Sequence, residues 1–186
     1  TGIFAEAKII SSNQINLTLH DQTEKIIEAT NIVVATGSSS ASIPGVEIDE
    51  DTIVSSTGAL SLKKVPETLT IIGGGYIGLE LGSVWSRLGS NVTVIEYLDR
   101  IAPGLDGELS SQFEKILKKQ GINFILGSKV KSTQKNSEGV EVHIENVSSS
   151  ESSSLQTEIV LVSTGRVPNT KGLFDESLGI KLTDKG

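Results

Sequence analysis

Ile72-Gly-Gly-Gly-Tyr-Ile-Gly-Leu-Glu-Leu-Gly82 is the stretch on which the reading of this chain turns. An apolar run, Leu69-Thr-Ile-Ile72, precedes it and reads as a strand. After it, Ile77, Leu81, Val84, Trp85 and Leu88 fall at offsets 0, 4, 7, 8 and 11, which places them on one face of a helix that Gly89 can end. Val92-Thr-Val-Ile95 is the next strand, and Glu96 closes it 18 residues after Gly78. Three glycines alone are a weak signal, but strand, glycine turn, helix, strand and acid in this order predict a βαβ unit, Leu69 to Glu96, that holds a dinucleotide. Gly73 permits the tight turn, Gly75 lets backbone N–H groups approach a pyrophosphate, and Gly78 lets the helix pack closely on the sheet. The helix N-terminus attracts the negative charge. The plainer alternative is an ordinary strand-to-helix turn with Glu96 as a surface carboxylate.

Glu96 separates the two nicotinamide cofactors. A carboxylate accepts hydrogen bonds from ribose hydroxyls and repels a 2′-phosphate, so the pattern favours NAD over NADP. The residues that follow are Tyr97, Leu98 and Asp99, where an NADP site wants arginines, and the single Arg100 reads equally as a solvated or ion-paired side chain.

Beyond this unit the strand–helix rhythm continues, as expected of a parallel sheet with covering helices. A second helix is marked by Leu109, Phe113, Ile116 and Leu117 on one face, Asp106 near its start, Lys118 and Lys119 in its last turn and Gly121 as its cap. Ile122 to Leu126 is a third strand. From Val130 the period changes to two, with Val140, Val142 and Ile144 alternating after an Asn136-Ser-Glu-Gly139 turn, which predicts an antiparallel excursion. Its tip, Ser148-Ser-Ser-Glu-Ser-Ser-Ser154, reads as a solvated loop, and Glu158-Ile-Val-Leu-Val162 returns to the sheet. Upstream, residues 3–19 and 26–35 read as short strands, including the compact run Asn31-Ile-Val-Val-Ala35, and Ser38-Ser-Ser-Ala-Ser-Ile-Pro-Gly45 suits a boundary.

Composition narrows the classes. A chain of 186 residues with 37% hydrophobic and 21% charged residues has room for one full domain and pieces of another. A net charge of −7 argues against nucleic acid or an anionic membrane as the main partner. The absence of cysteine removes thiol nucleophiles and thiolate metal sites, so any redox chemistry belongs to a cofactor. His20 and His143 lie in separate strand segments and are assigned no chemistry. The acidic run Glu47, Asp49, Glu50 and Asp51 reads as hydrated, and no metal site or catalytic side chain is expected. With no signal sequence or long apolar run, a cytoplasmic setting is the expectation. The start at Thr1, without a methionine, reads as a piece of something longer.

Read whole, Ile72–Gly82 with Val94-Ile-Glu-Tyr-Leu-Asp-Arg-Ile-Ala-Pro103 resembles the pyridine nucleotide–disulfide oxidoreductases, and within them the branch that oxidises dihydrolipoamide. Val33-Val-Ala-Thr-Gly-Ser38 resembles that family's FAD-touching strand, and Ser163-Thr-Gly-Arg-Val-Pro-Asn169 its glycine-arginine-x-proline-asparagine signature. The resemblance implies an α/β fold: a Rossmann-like parallel sheet with flanking helices and an antiparallel β-meander crossover, plus β-rich remnants of a FAD-binding domain. It divides the chain into residues 1–41, the end of a first FAD-domain segment, 42–167, the NAD-binding domain, and 168–186, the start of a return into the FAD domain. Gly73, Gly74, Gly75, Tyr76, Ile77, Gly78, Leu79, Glu80, Glu96, Val130 and Gly165 would contact NAD, while Ala7, Thr36, Gly37 and Ser38 would contact FAD. Tyr76 matches an aromatic gate in some relatives but equally fits simple packing. Glu80 is the one carboxylate to set near the nicotinamide and equally suits solvent. Arg166 touches cofactor or fixes its own loop.

The family's redox cysteine pair, its FAD phosphate loop, its second FAD aspartate and its histidine base find no match in these residues. The resemblance therefore implies a segment that binds without turning over, in a parent that passes electrons from dihydrolipoamide through a disulfide and flavin to NAD+. Partners implied are 2-oxo acid dehydrogenase complexes and, for the parent, a second copy of itself. Rival readings are another flavin-dependent reductase of the family and a stand-alone nucleotide-sensing module.

Overall fold

A computed structural model describes residues 2–184 and 186, which divide into two compact units: residues 2–39 with 166–184 and 186, and residues 40–165. The first unit opens with an antiparallel three-stranded sheet, β1 (Ala5–Ile9), β2 (Gln14–Leu19) and β3 (Glu24–Glu28), in that order. The expected strand Asn31–Ala35 is absent. Its residues have no regular structure, and Val33 is 88% exposed, because no strand among the described residues runs beside it to complete a hydrogen-bond ladder. Next come β4 (Ser38–Ser40) and, in the second unit, β5 (Ile53–Val54) and the short helix α1 (Ser56–Ala59), none of which shows a sequence period.

The βαβ unit follows as β6 (Thr68–Ile72), α2 (Tyr76–Leu88) and β7 (Asn91–Ile95), then α3 (Gly107–Lys119) and β8 (Asn123–Ile125). β9 (Ser128–Asn136), β10 (Gly139–Asn146) and β11 (Ser152–Thr157) form the antiparallel excursion, and β12 (Ile159–Val162) returns to the parallel sheet. That sheet has the order β5-β12-β6-β7-β8, every pair parallel. β13 (Arg166–Pro168) pairs with β4 in a two-stranded ribbon, and a 3-10 turn, Glu176–Leu178, lies near the end.

The alternation of side chains along the parallel strands sorts them into two cores. Leu69, Ile71, Val92, Val94 and Leu161 join Leu79, Trp85 and Leu117 from the helices. Ile72, Ile95, Val160 and Val162 join Val140, Val142 and Ile144 from the antiparallel sheet. The helices therefore flank one face of the parallel sheet, and β9–β11 cover the other. These strands are apolar on both sides because both sides are covered.

The helices bury narrower faces than their apolar stripes suggest. α2 buries Gly78, Leu79, Gly82 and Trp85 and leaves Val84 and Leu88 exposed. The glycines face the sheet: a Cβ at Gly82 would sit 2.7 Å from Ile71 Cδ1. α3 buries Ser110 and Leu117, while Leu109 and Ile116 are exposed. Its ends follow expectation, with Asp106 accepting from Glu108 N and Gly121 left-handed at φ 94°.

The serine-rich tip is shorter than expected. Only residues 147–149 form the turn, and Ser152–Ser154 belong to β11, paired with Glu145–His143, because β10 offers them a ladder. The acidic run is also more than hydrated. Asp49 accepts from the N–H groups of Asp51, Thr52 and Ile53 and pairs with Lys135 of β9. Partial burial raises its carboxyl, but Lys135 and those three amides outweigh that and hold it well below the usual carboxylate range.

Candidate dinucleotide site

The site forms at the carboxyl ends of β6, β7 and β12. Gly73 leaves β6 at φ 107°, a left-handed conformation, and a Cβ there would lie 2.7 Å from the carbonyl oxygen of Ser163. The turn is thus wedged against the end of β12. Ser163 Oγ sits 3.2 Å from the carbonyl oxygens of both Ile72 and Gly73 and can donate to either. Gly78 packs so close that a Cβ would strike the Gly73 carbonyl and lie 2.9 Å from Ile71 Cγ2. Gly75 is the opposite case. It caps α2 without any side-chain hydrogen bond, and the space where its Cβ would stand is open to 4 Å. The first turn of α2 thus has no capping side chain, and nothing crowds the Cβ side of Gly75, an arrangement suited to receiving an anion.

Glu96 leaves the end of β7 and turns back to this loop. Gly74 N donates to its Oε2 at 2.6 Å and Leu98 N to its Oε1 at 2.9 Å, and the residue is 9% exposed. Each carboxylate oxygen keeps a lone pair for a further donor. Arg100, the nearest basic residue in sequence, is exposed and reaches Pro103 O at 3.4 Å. The residues fit a dinucleotide whose adenosine ribose carries two hydroxyls.

Of the eleven residues set against NAD, the structure gathers Gly73 to Leu79 and Glu96 around one loop. Glu80 is exposed on the next turn of α2. Tyr76 is 70% exposed, so packing does not account for it. Gly165, at φ 147°, follows the end of β12, and half-buried Val130 lies on β9 against the core that includes Ile95. The residues set against FAD belong to the other unit. Ala7 is exposed on β1, opposite Leu17. Thr36, Gly37 and Ser38 are held by the segment after β12: Thr36 Oγ1 donates to Asn169 O at 2.8 Å, Asn169 N to Gly37 O at 3.0 Å and Asn169 Nδ2 to Thr36 O at 3.1 Å. Arg166 donates from Nε to Ser38 Oγ at 2.6 Å and from Nη2 to Ser38 O, so it fixes its own ribbon. Ser110 escaped the sequence reading altogether, while Asn169, Ser163 and Ala102 fall inside quoted stretches but were given no role there. Among the described residues, no cluster of His, Cys, Asp or Glu suits a metal, and no helix is long and apolar enough to cross a membrane.

The fold and this loop define a class, and comparison bears it out: the pyridine nucleotide-disulphide oxidoreductase family profile matches residues 2–186, and the chain belongs to that family. The chain is similar to the mitochondrial dihydrolipoyl dehydrogenase of Dictyostelium discoideum, 54% identical over 180 residues, which are 96% of this chain and 37% of that protein. It is also similar to the mitochondrial dihydrolipoyl dehydrogenase of Bos taurus, 49% identical over 181 residues, 96% of this chain and 36% of that protein. Among solved structures, the HOCl-induced flavoprotein disulfide reductase RclA of Escherichia coli, as its Cu(II) complex, superposes with a TM-score of 0.85 at 30% identity, over 98% of this chain and 40% of that one. The chain spans about a third of the length of the curated relatives it matches. The family works with FAD and a pyridine nucleotide. These relatives overturn the cytoplasmic expectation, since both are mitochondrial proteins. An acidic soluble domain has the same composition in either compartment, so composition carries no address.

Proposed function

We propose that this chain is the NAD-binding segment of a mitochondrial dihydrolipoamide dehydrogenase, with the flanking residues of its FAD-binding part. The observation that carries the NAD assignment is Glu96, held on Gly74 beside the uncapped start of α2. The identity to dihydrolipoyl dehydrogenases over nearly the whole chain supports the parent activity.

In this reading Gly73, Gly74, Gly75, Tyr76, Ile77, Gly78, Leu79 and Glu80 line the pyrophosphate and nicotinamide side, Glu96 holds the adenosine ribose, and Val130 and Gly165 complete the wall. Ala7, Thr36, Gly37 and Ser38 contact FAD, and Gly37 offers open space in a left-handed turn for that approach. Bound to the parent, FAD and NAD+ supply the relay and the acceptor for the electrons of dihydrolipoamide. The chain's own residues bind and orient: the amides of the glycine loop fix the diphosphate, Glu96 fixes the ribose, and no side chain here moves a proton. The parent serves 2-oxo acid dehydrogenase complexes and works as a homodimer.

The test is a fluorescence titration of this chain with NADH and NADPH, for the wild type and Glu96→Gln. Tighter binding of NADH that the variant narrows supports the reading. No binding of either nucleotide removes it.

A further inference from the structure

The glycine loop is gripped from outside the motif. Gly74 is held at both of its peptide groups by the segment that follows β7: its N–H donates to Glu96 Oε2 at 2.6 Å, and its carbonyl accepts from Ala102 N at 2.7 Å. Ala102 makes that bond in a left-handed conformation, φ 44°, which an alanine adopts only under constraint. Two contacts supply the constraint. The neighbouring Ile101 is fully buried in the helix-side core, and its carbonyl accepts from Ser110 Oγ at 2.7 Å. Ser110 is 1% exposed in the first turn of α3, so this hydroxyl has no water to bond instead. A continuous chain of bonds thus runs from α3 through Ile101 and Ala102 to the middle glycine of the loop.

We propose that Ser110 and Ala102 are positioning residues for nucleotide binding: they set the height of Gly74, and with it the aim of the loop amides, before the ligand arrives. The inference rests on the reading of this loop as the NAD site. Its physical basis is preorganisation, since a loop already held in its bound conformation loses less freedom on binding. Glu96 has two roles in this scheme, as a ribose acceptor and as the second anchor of Gly74.

The experiment compares NADH affinity and site-specific amide exchange in the wild-type chain, Ser110→Ala and Ala102→Val. Ser110→Ala removes one buried hydrogen bond and is expected to weaken NADH roughly fivefold. It is also expected to speed exchange at the Gly74 and Ala102 amides, while the sheet amides of Ile71 and Val94 keep their rates. Ala102→Val disfavours the left-handed backbone from a partly exposed position and gives the same pattern, so it decides the matter if Ser110→Ala does not fold. Unchanged affinity and unchanged Gly74 exchange, in a chain that does bind NADH, overturn the positioning role and leave the site assignment standing. Exchange that rises equally across the sheet also overturns it, because that marks general loosening. A wild-type chain that binds no NADH fails at the earlier step, and the two failures are thereby told apart.

Discussion

A carboxylate that accepts two backbone amides is a fixed charge, and at Glu96 that charge stands beside the glycine loop, where the proposed function sets the ribose. Hydrogen bonds to a charged group are worth about 1.5–3 kcal/mol, so Glu96→Ala is expected to weaken NADH roughly 10- to 100-fold in a titration. The two helix glycines make a second prediction at this scale. A Cβ at Gly78 meets a backbone carbonyl, whereas one at Gly82 meets the movable end of Ile71. Gly78→Ala should therefore lower the thermal midpoint more than Gly82→Ala does, the overpacking cost being about 1–3 kcal/mol. Equal midpoints would show that the α2–sheet contact is soft. The glycines and Glu96 were legible in the sequence because each residue type answers a local demand of the turn. Ala102 was not, since nothing in an alanine announces a left-handed backbone, and Ser110 reads as one more polar helix residue.

At the scale of elements, β6, α2 and β7 were legible because an apolar run, a helical stripe and a second run follow one another with glycines between. The buried faces were less so. An apolar stripe marks where side chains are large, while α2 turns its smallest residues to the sheet for closeness. The missing strand at Asn31–Ala35 failed for another reason: an apolar run shows a willing strand and not its partner. The acidic run is held by three amides that Asp49 accepts locally and by Lys135, 86 residues further on, and that second contact no local pattern reveals. Folding holds the Asp49 carboxyl below its unfolded value, so its contribution to stability is complete above the unfolded value of about pH 4 and is lost as pH falls through the lower folded value. Asp49→Asn should flatten the acid side of a plot of thermal midpoint against pH below about pH 4. Superimposable acid limbs would remove Asp49 from the account.

For the whole molecule, the chain holds the parallel sheet, the glycine loop and the β4–β13 ribbon but spans about a third of its relatives' length. It contains no cysteine, so it cannot pass electrons to or from a disulfide of its own. It should bind NADH and, mixed with FAD, show no NADH-dependent dye reduction. Measurable turnover in that assay would contradict the division between binding here and chemistry elsewhere. The measurement closest to the central claim is the pair of dissociation constants for NADH and NADPH on the unmodified chain. With Glu96 anchored on Gly74, NADH should bind at least about tenfold tighter, as expected when a 2′-phosphate meets a fixed carboxylate. Equal constants, or tighter NADPH, would contradict it.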